Sequence, residues 1–420
     1  MDCVLHIGTE KTATTLLQEW LYANKTELSS QGIFLSSVAK EGNNRKLVSW
    51  CQSQVDDWLR RQGVTTLEQK AELLQDFEAQ FREEVTAASQ NHHTMVLTSE
   101  HFHKRLETDE EIVRIKAITD ELFDSTTVVC YFRDQADMAV SLHSTLLRIA
   151  SVTPLEQYLE GVDPNHRNYN HAKTSAHWAN IFGEQNCRFR VFDRGIFPQG
   201  DIRRDFLRTL PKPPDFDSLS ASITSANESL GLYQARLYQA INRAVPHWQP
   251  GKSGINKLNR RLKRTIDGIA SLGKEPLLEV DRDAVRQRFA DSNNRFLARW
   301  APDRSDLRDN GAARGSPVES SEGPPTEEML ADLLTALVSD HIQTERHLEQ
   351  KDAQTLMAIY WKFVRARPDD REGALALLQL AARAHPKGPR IRRLLDEEKE
   401  GTRPRSLFSK INSRLTKSGD

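Results

Sequence analysis

The chain has 420 residues, with 58 Lys and Arg against 59 Asp and Glu, a formal net charge of −1, and 38% hydrophobic and 28% charged side chains. At roughly 150 residues per domain that length predicts two or three domains, and it excludes a chain disordered throughout. The balanced charge excludes a protein that coats nucleic acid or an anionic bilayer through bulk charge, so no nucleic-acid partner is expected.

No run of about 18 apolar residues occurs, so no transmembrane helix is read. Met1 to Gly8 has neither a basic region nor a cleavable apolar stretch, which argues against a classical secretion signal. Cys3, Cys51, Cys130 and Cys187 show no C-x-x-C pairing, and three of them sit in apolar runs, where a thiol serves as a small hydrophobe. A reducing, cytoplasmic location is the expectation.

The N-terminus reads as a strand (Cys3 to Ile7), a loop (Gly8 to Thr12) and a helix with Leu16, Leu17, Trp20 and Leu21 at helical spacing. One long amphipathic helix follows, opened by a capping box Thr65-x-x-Glu68 and carrying Leu67, Leu74, Phe77, Phe81 and Val85 on one face. Met95 to Thr98 is a short strand ending in Ser99-Glu100. Thr127 to Phe132 is a continuous apolar run, the mark of a strand buried on both faces of a parallel sheet. A helix from Gln135 to Arg148, a strand from Arg188 to Phe192 and a helix from about Asp201 complete the alternation. The expected fold class is α/β with a mainly parallel sheet, plus a C-terminal α-helical region.

From Ala226 to about Trp300 the pattern is helical, with a basic stretch at Lys252, Lys257, Arg260, Arg261, Lys263 and Arg264 whose plain reading is a solvated helix face. Residues 303–326, rich in Gly, Pro, Ser, Asp and Glu, read as a flexible linker. Helical periodicity returns over 327–400, broken by Pro368 and Pro386, a hint of tetratricopeptide-like pairing; these helices offer a surface for a partner or for dimerisation. The basic tail 401–420 reads as a frayed, solvated end, with contact to an anionic membrane the alternative.

The chemistry concentrates in Thr9-Glu10-Lys11-Thr12-Ala13-Thr14-Thr15. Backbone N–H groups at a helix start, the positive end of its dipole, the hydroxyls of Thr12, Thr14 and Thr15 and the Lys11 ammonium together make an anion site. It is not a Walker A loop, which places Lys six residues after its first Gly; Lys11 follows Gly8 by three. About 120 residues on, Arg133 leaves the carboxyl end of the apolar strand, where open α/β sheets bind ligands. Ser141 on the next helix adds a hydroxyl to the Arg fork. Glu100, with His101 and His103 behind it, ends the intervening strand and supplies a candidate general base.

These places resemble the cofactor signature of the sulfotransferases that use 3′-phosphoadenosine 5′-phosphosulfate (PAPS). His6 to Thr15 resembles their 5′-phosphosulfate loop, Tyr131-Phe132-Arg133 with Ser141 resembles their 3′-phosphate-binding strand and helix, and Thr98-Ser99-Glu100 occupies the strand end of their catalytic base. Asn227-Glu228-Ser229-Leu230 and Ser292-Asn293-Asn294-Arg295 echo bacterial, carbohydrate-type members. The likeness covers about residues 1–302 and implies a P-loop-like three-layer fold, PAPS as co-substrate, no metal and a saccharide-like acceptor. On it Thr12, Ala13, Thr14 and Thr15 would hold the 5′-phosphate, Arg133 and Ser141 the 3′-phosphate, and Lys11 would stabilise the leaving group. The family usually has Gly at the position of Ala13; a helix start with negative φ would make Ala acceptable there. The alternatives are a P-loop kinase or NTPase, with Asp134 as its magnesium-linked carboxylate, and a non-catalytic binding scaffold.

Overall fold

The computed structural model describes residues 1–220, 230–248, 254–269, 282–311, 337, 350–367 and 369–400. In chain order the principal elements are β1 (Asp2–His6), α1 (Thr14–Ala23), β2 (Ile33–Leu35), α2 (Arg45–Cys51), α3 (Leu67–Leu74), α4 (Phe77–Ser89), β3 (Thr94–Thr98), α5 (Glu100–Arg105), α6 (Asp109–Leu122), β4 (Thr126–Phe132) and α7 (Gln135–Ile149). There follow α8 (His171–Phe182), β5 (Cys187–Val191), α9 (Ile202–Leu207), α10 (Leu232–Ala244), α11 (Lys257–Asp267), α12 (Arg282–Arg288), α13 (Ala290–Trp300), α14 (Gln350–Ala366), α15 (Arg371–Ala384) and α16 (Pro389–Glu400). They divide into two compact units, Met1–Leu146 with Thr153–Ser229 and Glu279–Pro317, and Leu147–Val152 with Leu230–Leu278 and Val318–Asp420. Of the span 1–302, Leu147–Val152 and Leu230–Leu278 group with the second unit, and the first runs on to Pro317.

The first unit is α/β with a five-stranded, all-parallel sheet in the order β2-β3-β1-β4-β5. The strand pleat sends alternate side chains to opposite faces. Cys3, Leu5, Leu97, Cys130 and Phe132 enter one core with residues of α4, α6, α8 and α13, whereas Val4, Val96, Val129 and Tyr131 enter the other with α1 and α9. Burial on both faces is why these strands read as unbroken apolar runs. All four cysteines are free and buried.

Three expectations change. The single helix after residue 65 is two, α3 and α4, and the capping box is formed by Thr66 with Gln69, one residue later than predicted. Leu67 is 55% exposed, and the buried Lys70 ammonium instead donates to the carbonyls of Gln52 and Gln54. The basic stretch is only partly a solvated face: Lys263 is buried and donates to the carbonyls of Leu147, Arg148 and Ile149 at the end of α7, capping orphan acceptors that a helix C-terminus leaves open.

Residues 303–311 are not linker. Asp193, fully buried just past β5, accepts Arg304 Nη1 at 2.7 Å, Gly195 N and Asn310 N at 2.8 Å, Asn310 Nδ2 at 3.1 Å and Gly311 N at 3.3 Å. Burial opposes its charge, but Arg304 and the amides hold the carboxyl below its ordinary value. The contact is close enough that a Cβ on Gly311 would lie 2.2 Å from Gly195 N. Residues 312–326, the tail 401–420 and Asn227 to Ser229 lie outside the described residues. In the second unit α14, α15 and α16 pack through Leu356, Tyr360, Phe363, Leu377, Leu378 and Leu394. No described helix is long and apolar enough to cross a membrane.

Asp193→Ala removes the carboxylate that five donors share and deprives Arg304 of its ion pair, which costs about 3–5 kcal/mol for a buried pair broken on one side. The expected result is a lower urea midpoint together with new proteolytic cleavage within 304–311; an unchanged midpoint and cleavage pattern would contradict the assignment of these residues to the unit.

Candidate functional site

The site forms where β1 and β4 end side by side. Their register pairs His6 with Val129, and Ile7 N donates to Val129 O at 3.0 Å. Beyond this ladder Thr9 Oγ1 donates to Tyr131 O at 2.8 Å and Thr12 Oγ1 to Thr9 O at 2.7 Å, both threonines being fully buried. These two hydroxyls fold the loop back on the strand. Thr12 thus does not present its hydroxyl to a ligand as the sequence suggests; Thr14 and Thr15 stand on the first turn of α1, the latter exposed.

The loop backbone is bent at Gly8 (φ 41°), Lys11 (φ 65°) and Ala13 (φ 58°, ψ 26°). The expectation of negative φ at Ala13 is wrong: it is the N-cap of α1 and left-handed, where a Cβ costs roughly 1–2 kcal/mol. Left-handed residues set among right-handed ones are the backbone pattern of amide concavities that bind anions. Among the described residues the amides of Thr12, Ala13, Thr14 and Thr15 have no backbone acceptor, the usual condition of the amides at a helix start.

The two predicted cations meet at this loop. Arg133 Nη1 donates to Lys11 O at 2.9 Å; its Nε is buried without a protein partner, and its guanidinium lies 5.7 Å from the Phe192 ring centre. Burial pulls Arg133 below its ordinary pKa, with Asp137 and Asp309 pulling back. Asp134 and Asp137, near Arg133 in the chain, pair with α12 instead: Asp134 takes Arg286 Nε at 2.9 Å and Asp137 faces Arg282 at 3.3 Å. Lys11 Nζ donates to Thr145 Oγ1 at 2.5 Å, and Thr145 in turn bonds Ser141 O. Arg133 is thus tied to the backbone of this loop, and Lys11, through Thr145, to the turn of α7 that carries Ser141.

Glu100 opens α5 behind its N-cap Ser99, whose hydroxyl accepts His101 N. Its carboxylate takes Gln18 Nε2 at 2.8 Å and lies 3.6 Å from His101 Nε2. Burial lowers His101 to a pKa of about 4 against the pull of Glu100. His103, 1% exposed with neither ring nitrogen bonded, is lowered by burial to about 3; its seclusion removes it as a base. Glu10 is bound to Lys104 at 2.7 Å and faces away from an anion role.

Sequence reasoning missed Thr145, Gln18 and His6. Thr145 sits one helical turn after Ser141 and Gln18 one turn after Thr14, a spacing that was readable. His6 is fully buried; Nδ1 bonds Thr98 Oγ1 at 2.9 Å, Nε2 has no partner, and the ring lies 3.5 Å from where a Cβ on Gly8 would stand. Ser292 and Asn293 of α13 are structural: Asn293 exchanges amide bonds with Gln135 at 2.7 and 3.0 Å, and Ser292 donates to Asn170. The clefts beside α8, about 510 and 430 Å³, hold none of the predicted site residues. No group of three or more His, Cys, Asp and Glu able to hold a metal occurs among the described residues. Compared with protein-family models, with curated proteins and with solved structures, the chain gives no match.

Two outcomes follow. Ala13→Gly relieves the left-handed Cβ and is expected to raise stability by up to about 1 kcal/mol in denaturant titration; a loss of stability would refute the strain. His6, His101 and His171 titrate near 4 and His103 near 3 in the fold, lowered chiefly by burial, against about 6.5 unfolded. The unfolded chain therefore binds more protons, so stability is lost as pH falls from 6.5 towards 4, by up to about 1.4 kcal/mol per pH unit per histidine. His103→Phe is expected to make that slope shallower by one proton; an unaltered slope would show that His103 is not buried neutral.

Proposed function

We propose that the chain is a sulfotransferase that moves a sulfuryl group from PAPS to an acceptor hydroxyl of a saccharide or glycoconjugate, on a P-loop-like α/β scaffold. The observation that carries the reading is the bond from Arg133 to the carbonyl of Lys11, which ties the two candidate anion-binding elements to one loop, as a nucleotide phosphorylated at both ends would require. The orphaned Arg133 Nε and the amides of residues 12–15 are the donors such a ligand would take up. The resemblance of the same two segments to the PAPS-binding signature supports the choice of nucleotide, and the carbohydrate-type echoes support the acceptor.

In this reading the bond from sulfur to the bridging phosphate oxygen breaks while a bond to the acceptor oxygen forms. Lys11 and the loop amides stabilise charge developing on the leaving phosphate. Glu100, oriented by Gln18, takes the acceptor's proton; His101, held neutral at physiological pH, stands beside it without a hydrogen bond to the carboxylate. The kinase alternative loses its carboxylate, because Asp134 is committed to Arg286 and to the amide of Asp137 at the start of α7.

Adenosine 3′,5′-bisphosphate is expected to raise the melting temperature without added metal, whereas ATP with Mg²⁺ is not; the reverse pattern would overturn the proposal. Arg133→Ala should weaken bisphosphate binding about 10- to 100-fold, the worth of charge-assisted bonds to phosphate. Glu100→Gln should keep that affinity while transfer from labelled PAPS to cell-extract acceptors falls about 10²- to 10⁴-fold.

A further inference from the structure

The part of the second unit formed by residues 147–152, 230–248 and 254–269 carries eight cations (Arg148, Arg236, Arg243, Lys257, Arg260, Arg261, Lys263 and Arg264) and one acid, Asp267. Asp267 is taken by Arg148 at 3.2 Å. Arg236, Arg243, Lys257, Arg260 and Arg264 are exposed and make no ion pair with a described acid. Lys257, Arg260 and Arg264 follow one another at i, i+3 and i+7 on α11, opposite its buried Asn259, Lys263 and Ile266.

The same residues display apolar surface. Trp248 is 54% exposed, Ile149 47%, Val152 40% and Ile255 40%, four of the nine large exposed hydrophobics among the described residues. This display is held rigidly. Trp248 and Ile255 face each other across an antiparallel bridge, with Asn256 N on His247 O at 2.8 Å. Buried Asn259 bonds Asn242 and the carbonyl of Val245, Asn242 bonds the carbonyls of Leu147 and Ser151, and Arg243 bonds that of Val152. The network ties Val152, Arg243, Trp248, Ile255 and the start of α11 into one edge.

We infer that this edge docks on an anionic phospholipid surface, with Trp248 and Ile255 at the headgroup–acyl boundary and Arg243, Lys257, Arg260 and Arg264 on lipid phosphates. Nucleic acid or an acidic glycan would answer the cations alone. A bilayer answers both: indole sits at its interface and cations are drawn to its surface potential. The chain's overall neutrality is no obstacle, because attraction is local within a Debye length of about 8 Å.

The test is co-sedimentation of the full chain with vesicles of phosphatidylglycerol and phosphatidylcholine, against phosphatidylcholine alone, at physiological salt. Binding to the anionic vesicles only is expected. Trp248→Ser with Ile255→Ser should weaken it at least tenfold, and Lys257→Glu with Arg260→Glu and Arg264→Glu about a hundredfold or more, with circular dichroism unchanged because all five side chains face solvent. Removal of 401–420 should leave most of the binding. No binding to anionic vesicles, binding indifferent to both sets of variants, binding lost only with the tail, or capture by heparin or duplex DNA in place of vesicles would each overturn the inference.

Discussion

The parallel pairing of β1 with β4 is the constraint on which the site depends. Adjacent parallel strands end at the same edge of a sheet, so whatever follows each must share that edge. Here one strand delivers Gly8 to Ala13 and the other Arg133, and the ladder continues past the strands through Ile7 and Thr9 onto the carbonyls of Val129 and Tyr131. Arg133 then closes the gap by bonding the carbonyl of Lys11. Residues 122 positions apart are thereby brought to one loop by backbone geometry, and side-chain attraction between two cations would not have done it.

The loop itself is stabilised from beneath. Thr9 and Thr12 spend their hydroxyls on backbone carbonyls in full burial, which fixes the loop without competing for the amides above. Ala13 keeps a left-handed conformation at a cost that glycine would avoid, and such strain persists where the surroundings over-determine it. The covering contacts are Thr14 against Gly8 and the His6 ring below it: a Cβ on Gly8 would meet Thr14 Cγ2 at 2.6 Å. Gly8 is thus the residue that cannot be replaced, and Ala13 the one that is tolerated.

Periodicity made the sheet legible. β1, β3, β4 and β5 fall within one residue of the segments that announced them: burial on both faces leaves β3 and β4 as nearly unbroken apolar runs, and the edge strand β5 shows instead the alternation of a strand buried on one face. β2, only Ile33–Leu35, is too short to show a period. The break between α3 and α4 was hidden by Leu67, whose spacing fits the buried face although its side chain is exposed. Residues 303–311 read as linker because their order comes from one buried carboxylate, Asp193, more than 100 positions away, and composition does not register such a partner. In the site, Lys11, Arg133, Ser141 and Glu100 could be named from their places at strand ends and helix starts. What could not be read was orientation: that Thr12 turns inward, that His103 is sealed in the core, and that Gln18 rather than a histidine reaches Glu100.

Net charge proved the least informative number and its distribution the most. A total of −1 conceals a small, mainly helical segment with eight cations and one acid, whereas in the α/β unit most cations are matched by carboxylates, as in Arg190 with Asp205, Arg286 with Asp134 and Arg304 with Asp193. Paired charges of that kind hold elements together and present little field to solution. The unpaired stripe of α11 does the opposite: its neighbours are hydrophobic and exposed, and both lie outside the segment's packing, which is made by the core of Leu147, Leu230, Tyr233, Tyr238, Ile266 and Ile269 together with the buried asparagines and Lys263. Side chains that the fold does not need, arranged on the face opposite the buried one, are what the proposed lipid contact would use.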